Sequence, residues 1–206
     1  MREDGFTLIE LLVVTLMLSI VTIGFYQVMF SGARGSDVTQ SVVRISEEGR
    51  GGLNRMIRDT RESQVLVSAT ATSYQVQVDF NGSGVIEGDL ETNTTNAEGD
   101  YEELLFVYDA GTGTIRLNDE TLVDGVEQIG TTPVFSYYSN NLIFDSNEDG
   151  VSSEAEINAS SVGNGTNGLD LAEERALVST VVFQFAVRSE DRVTEFYGEA
   201  QMRNNR

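Results

Sequence analysis

The 206-residue sequence contains neither cysteine nor histidine, and each of its 13 basic residues is arginine. Without cysteine there are no disulfides, no thiol nucleophile and no thiolate metal site. Without histidine, imidazole ligands and imidazole acid-base catalysis are also excluded. A lipid-bearing cysteine anchor is ruled out on the same ground. Positive charge is scarce: Asp+Glu 33 against Lys+Arg 13 leaves a net charge of -20. A surface of that sign repels phosphate, so nucleic acid and anionic lipid headgroups are not captured electrostatically. The length and the 40% hydrophobic content leave room for one ordinary domain and an anchoring segment.

That segment is the first thing present. The chain opens MREDGFTLIELLVVTLMLSIVTIGFYQVMF, and from residue 6 to residue 30 its sole charged side chain is Glu10. About 20 apolar residues in a helix cross roughly 30 Å of hydrocarbon. A secretory signal peptide has a basic start, a shorter apolar core and small residues at a cleavage site after it, and none of these is found here. Glu10 is therefore conspicuous, because a carboxylate in hydrocarbon costs several kcal/mol unless something pairs with it.

The stretch GFTLIELLV, residues 5–13, resembles the N-terminal signature of type IV prepilins and pseudopilins. The resemblance implies a leader of residues 1–5, cleavage between Gly5 and Phe6 by a prepilin peptidase, N-methylation of the new Phe6 amine, and a transmembrane helix over 6–30. It gives Glu10 an assembly role, with its carboxylate near the Phe6 amine of its own or a neighbouring subunit. In low dielectric an unpaired charge is strongly unfavourable and a paired one tolerated, so such a group sets axial register. The implied partners are other pilins or pseudopilins, the peptidase/methyltransferase, an inner-membrane assembly platform and membrane lipid, with no nucleic acid bound directly. The implied location is the cytoplasmic membrane, single-pass, with the C-terminal domain extracytoplasmic.

Beyond the span, apolar residues recur at Val38, Val42, Ile45, Leu53, Met56 and Ile57, which predicts an amphipathic spine helix over 31–63. Its end, GLNRMIRDTRES, resembles that of J-type minor pseudopilins of type II secretion and related minor pilins, where an R-x-x-R-D-x-R pattern is common. The acidic, β-rich domain follows over 64–206: from residue 65 onward 25 acidic residues face 6 arginines. Strand signals start at Gln64, Tyr74, Tyr101, Gly113, Val134, Leu177 and Arg192, with a further short strand over 141–144 and a hairpin turn at DAGTG, 109–113. The predicted fold class is α+β: a long N-terminal helix packed against one antiparallel sheet, pilin-like.

Two loops carry oxygen donors in order. DSNEDGVSSEAE, residues 145–156, fits the calcium-loop pattern D-x-[DN]-x-[DN]-G-x5-E at every specified position. Asp145, Asn147 and Asp149 supply side-chain oxygens, Gly150 the sharp turn, Val151 a carbonyl, Ser153 a direct or water-mediated contact, and Glu156 a bidentate carboxylate. The flanks do not read as an EF-hand. A second, weaker loop has Asp79, Asn81, Ser83, Val85 and Glu87, with Leu90 where the closing carboxylate belongs. Ca²⁺ is accordingly the expected cofactor, in a structural role.

These readings predict a minor pilin or pseudopilin subunit with no enzymatic activity. The competing reading is a membrane-anchored calcium-binding or adhesive ectodomain that does not polymerise. A hydrolase built on Glu102 and Glu103 is disfavoured, since neighbours on a strand point to opposite faces.

Overall fold

A computed structural model describes residues 7–80, 82, 86, 102–165, 168–189 and 192–203. The cleavage position Gly5–Phe6 and, in the weaker calcium loop, Asn81, Ser83, Val85 and Glu87 lie outside the described residues. The chain divides into two units, Met1–Arg44 and Ile45–Arg206.

Helix α1 runs Leu8–Glu62. In its first part, Leu8–Ser31, it is apolar and long enough to cross a membrane, with a mean hydropathy of 2.4, and none of it is buried. Three of its hydroxyls are satisfied within the helix: Thr15, Ser19 and Thr22 donate to the carbonyls of Leu12, Thr15 and Leu18 at 2.7–2.9 Å. A helix that closes its own hydrogen bonds in this way needs no water along the span.

In the second unit the helix buries Leu53 and Met56. Glycines permit the close approach: a Cβ on Gly198 would lie 2.7 Å from Ile57, and one on Gly52 would collide with Val123. Two antiparallel sheets are present where a single sheet was predicted. The first is a meander of β1 (Val65–Ala69), β2 (Ser73–Gln77), β3 (Glu103–Asp109), β4 (Thr114–Leu117) and β5 (Glu120–Asp124). The second contains β6 (Val126–Glu127), β7 (Phe135–Ser139), β8 (Ser152–Ser153), β9 (Thr180–Ser189) and β10 (Arg192–Gln201), in the order β10-β9-β7-β8 with β6 also on β9. The chain changes sheets at Gly125, whose φ of 69° and tight fit under the Arg188 carbonyl no side chain would tolerate without strain.

Aromatic rings join the two sheets. Tyr74 of the first stacks on Phe106 at 4.8 Å and meets Phe135 of the second edge-on at 4.9 Å, with Phe183 beside them. The Tyr74 hydroxyl lies 3.1 Å from Thr60 of α1, so one buried side chain touches all three layers. Strand alternation explains the arrangement: Phe135 and Tyr137 face in, Ser136 and Tyr138 do not.

The DAGTG turn closes as expected, with the Asp109 carboxylate accepting from the amides of Gly111 and Thr112. Residues 141–144 are not a strand: Leu142–Phe144 is a 3₁₀ turn capped by Asn141. β9 begins at Thr180 and not at Leu177, because Leu177 and Val178 are still bonded to the carbonyls of Glu174 and Arg175 in the last turn of a short helix, α3 (Ala172–Arg175).

Candidate functional site

The start of α1 is built by four residues. Thr7 precedes the helix; its amide and hydroxyl both donate to Glu10 Oε2 at 3.0 Å, while the Glu10 amide reaches back to the Thr7 hydroxyl at 3.4 Å. This is a capping box, in which a Ser or Thr and a Glu three residues on satisfy amides that the first turn leaves unpaired. Glu10 thus has local partners within its own chain. The T-x-x-E spacing encodes this box, a local role beside the assembly role that the resemblance implies for Glu10. Around it, Leu8, Ile9, Leu11 and Leu12 are all exposed.

The loop at 145–156 is organised by its own side chains. Asp145 accepts from the amides of Asp149 (3.2 Å) and Gly150 (2.9 Å), Asn147 from Asp149 (2.8 Å), and Asp149 from Val151 (3.0 Å). Glu148 and Gly150 both take positive φ, at 61° and 93°, giving the sharp turn expected at the glycine. Glu156 then pins the two ends together. Its Oε1 accepts from the Ser146 amide and hydroxyl and from the Asn147 amide, its Oε2 from the Ser153 amide and hydroxyl, all within 2.8–3.2 Å. The Ser153 backbone donor, then the Ser153 hydroxyl and Ser146, pull its carboxyl down to about 2. It also closes the capping box of a short helix, α2 (Glu154–Ala159), which the sequence reading had as loop.

The donor types and the chain path suit a hard cation, which favours an all-oxygen set of six to eight ligands. The carboxylates as placed do not converge: among the described residues no group of three or more His, Cys, Asp or Glu side chains stands close enough together to hold a metal ion. Their oxygens are committed to amide donors instead.

The R-x-x-R-D-x-R pattern is divided in use. Asp59 is buried; Arg58 holds it at 3.0 Å and Arg55 at 3.5 Å, both from exposed positions. Burial raises the Asp59 carboxyl above its ordinary value, and the two arginines offset part of that. Arg61 turns elsewhere, into a trough on the second sheet. Glu103 accepts from Gln75 and Gln77 while Glu102 is buried, so those two carboxylates face apart as strand geometry requires.

Comparison with known proteins gives one result. Residues 1–26 match the prokaryotic N-terminal methylation motif. The chain therefore carries a type IV prepilin-like signature, the mark of a pilin-like substrate of prepilin peptidase and of a structural subunit that associates with other pilins. No curated protein and no solved structure matches the chain.

Proposed function

We propose that this chain is a minor pilin or pseudopilin, most like a J-type minor pseudopilin of type II secretion or a related minor pilin, that enters a filament through its N-terminal helix. One observation carries the reading: the methylation motif at 1–26 overlaps the 24-residue apolar first part of α1, Leu8–Ser31, which is exposed throughout. An apolar surface of that kind requires lipid or like helices around it. In this reading residues 1–5 are a leader, cleavage falls between Gly5 and Phe6, and the new Phe6 amine is methylated. Residues 6–30 span the cytoplasmic membrane, 31–63 form the spine, and 64–206 lie outside the cytoplasm. Glu10 docks against a Phe6 amine during assembly, exchanging its bonds to Thr7 for a charge-assisted one.

Calcium belongs to the same proposal. Asp145, Asn147, Asp149, Ser153 and Glu156 with the Val151 carbonyl would hold one Ca²⁺, drawing Glu156 away from its amide donors and neutralising carboxylates that otherwise repel. The ion would be structural, and no reaction is assigned to it. A weaker site of the same chemistry would use Asp79, Asn81, Ser83, Val85 and Glu87, with Leu90 where the closing carboxylate belongs.

The second reading, an anchored calcium-binding or adhesive domain that never polymerises, is favoured by the capping box, because Glu10 already has partners without a neighbouring subunit. Mass spectrometry of the protein from its host's membranes tests the first. A chain beginning at methylated Phe6 is the expected result; an intact leader overturns the assembly reading and leaves the anchored domain.

A further inference from the structure

The second sheet presents a trough of about 1180 Å³ on the face turned away from the core, within the Ile45–Arg206 unit. Its floor follows from strand register. Tyr138 pairs with Thr180 and Thr180 with Gln201, forming one cross-strand row; Gln184 and Tyr197 form another four residues along β9. Phe135, Tyr137, Phe183 and Phe196 alternate with these and go to the core, so the floor residues are surplus to packing.

Three properties narrow what fits. Tyr197 is 63% exposed, and neither its hydroxyl nor that of Tyr138 has a hydrogen-bond partner among the described residues. The side chains of Gln184, Gln201 and Glu199 are likewise without partners there, whereas Gln75 and Gln77 on the first sheet are both tied to Glu103. Charge is balanced in the trough, Arg61 and Arg203 against Glu62 and Glu199, on a chain whose net charge is -20.

We infer that this trough binds a neutral oligosaccharide, with Tyr138 and Tyr197 as stacking platforms. A sugar ring offers an apolar C–H face to an aromatic ring and hydroxyls that both donate and accept. Amides, carboxylates and guanidinium groups with free valences answer those hydroxyls from both sides. Strand spacing and rise put the two tyrosines on the order of 15 Å apart, so one ring cannot reach both and an extended saccharide can. A peptide strand fits less well: β10 is an edge strand, but the floor of the trough is the face of the sheet, which offers side chains and not the unpaired backbone groups that strand addition uses. A protein partner would anchor in a water-excluding pocket, which an open trough of mixed polarity does not offer.

The test uses the full chain in a detergent without a sugar headgroup, titrated with cello-, chito-, malto- and xylo-oligosaccharides. With 7 tyrosines and no tryptophan, tyrosine emission reports binding. At least one series is expected to saturate, with Tyr197→Ala and Gln184→Ala each weakening it by about tenfold or more and leaving the thermal midpoint in place. No saturation in any of the four overturns the inference, as does saturation unaffected by Tyr197→Ala and Tyr138→Ala. The absence of cysteine allows one further check: Tyr197→Cys that crosslinks to another protein in host membranes, with no sugar bound, assigns the face to a protein and overturns the inference too.

Discussion

Glu10 and Glu156 occupy the same local station. Each sits three residues after a Thr or Ser that it caps, Thr7 and Ser153, and each accepts that residue's amide and hydroxyl near 3 Å. Their surroundings differ completely: Glu10 lies among exposed Leu and Ile side chains of an apolar helix, Glu156 in a loop of Asp, Asn and Ser. A local hydrogen bond thus explains why a glutamate is tolerated at either place. Under the proposals above, anything each does beyond capping is set by its surroundings: exposed apolar side chains for Glu10, a loop of oxygen-bearing side chains for Glu156. Glu174 stands apart from both: it is fully buried, and accepts from the amides of Leu171 and Asn164.

The largest effect is expected at Glu10. Glutamine at this position keeps a capping acceptor but loses the charge. If capping were its whole role, Glu10→Gln would behave like the wild type. Under the assembly proposal Glu10→Gln fails as completely as Glu10→Ala, read as loss of the subunit from sheared filaments while its level in the membrane is unchanged. Next comes Glu174→Ala, which strips the part-buried amides of Leu171 and Asn164 of their acceptor and empties a buried site, and is expected to cost about 1–2 kcal/mol in denaturant unfolding; a neutral result would mean that water replaces the carboxylate at both amides.

Under the calcium proposal, Ca²⁺ should separate Glu156 from Glu174. A cation bound only by the folded state stabilises it by about 2.7 kcal/mol at a hundredfold excess over Kd, so the thermal midpoint should rise with Ca²⁺ and fall back with EDTA. Glu156→Gln is expected to abolish that response, and Glu174→Ala to retain it at a lower starting midpoint. A midpoint indifferent to Ca²⁺ in the wild type would leave Glu156 as a capping residue alone.

How much of this could be read in the sequence depended on how far apart the cooperating residues lie. The apolar helix, the strands at Val65, Glu103 and Arg192, and the Asp109 turn were legible because their signals are local and periodic. β5 was not, since in ETLVD only Val123 is buried and the strand is defined by its pairing with β4. The division into two sheets was also hidden: it depends on one glycine at positive φ and on rings 109 residues apart, Tyr74 and Phe183, meeting in space. The donor order of the 145–156 loop was plain, but whether its carboxylates converge is a matter of side-chain direction that spacing does not encode. The trough was invisible for the same reason, its two tyrosines lying on strands that are not neighbours.

Asp59 gives the smallest and most discriminating effect, because its carboxylate is held by arginines and not by amides. Burial raises its carboxyl above the ordinary value of 3.8, against the pull of Arg58 and Arg55. The folded chain therefore holds this proton more readily than the unfolded chain does. In the window above 3.8 stability from this group increases as the pH falls, and at neutral pH the charged form is a net cost. Asp59→Asn keeps the shape and removes the charge, and both arginines can turn to water. The expected outcome is unchanged or slightly higher stability at neutral pH, by about 1 kcal/mol or less, and loss of this group's gain toward acid in urea unfolding curves. A loss of several kcal/mol at neutral pH would mean that the arginine clasp outweighs the burial, and would make the R-x-x-R-D pattern a stabilising element in its own right.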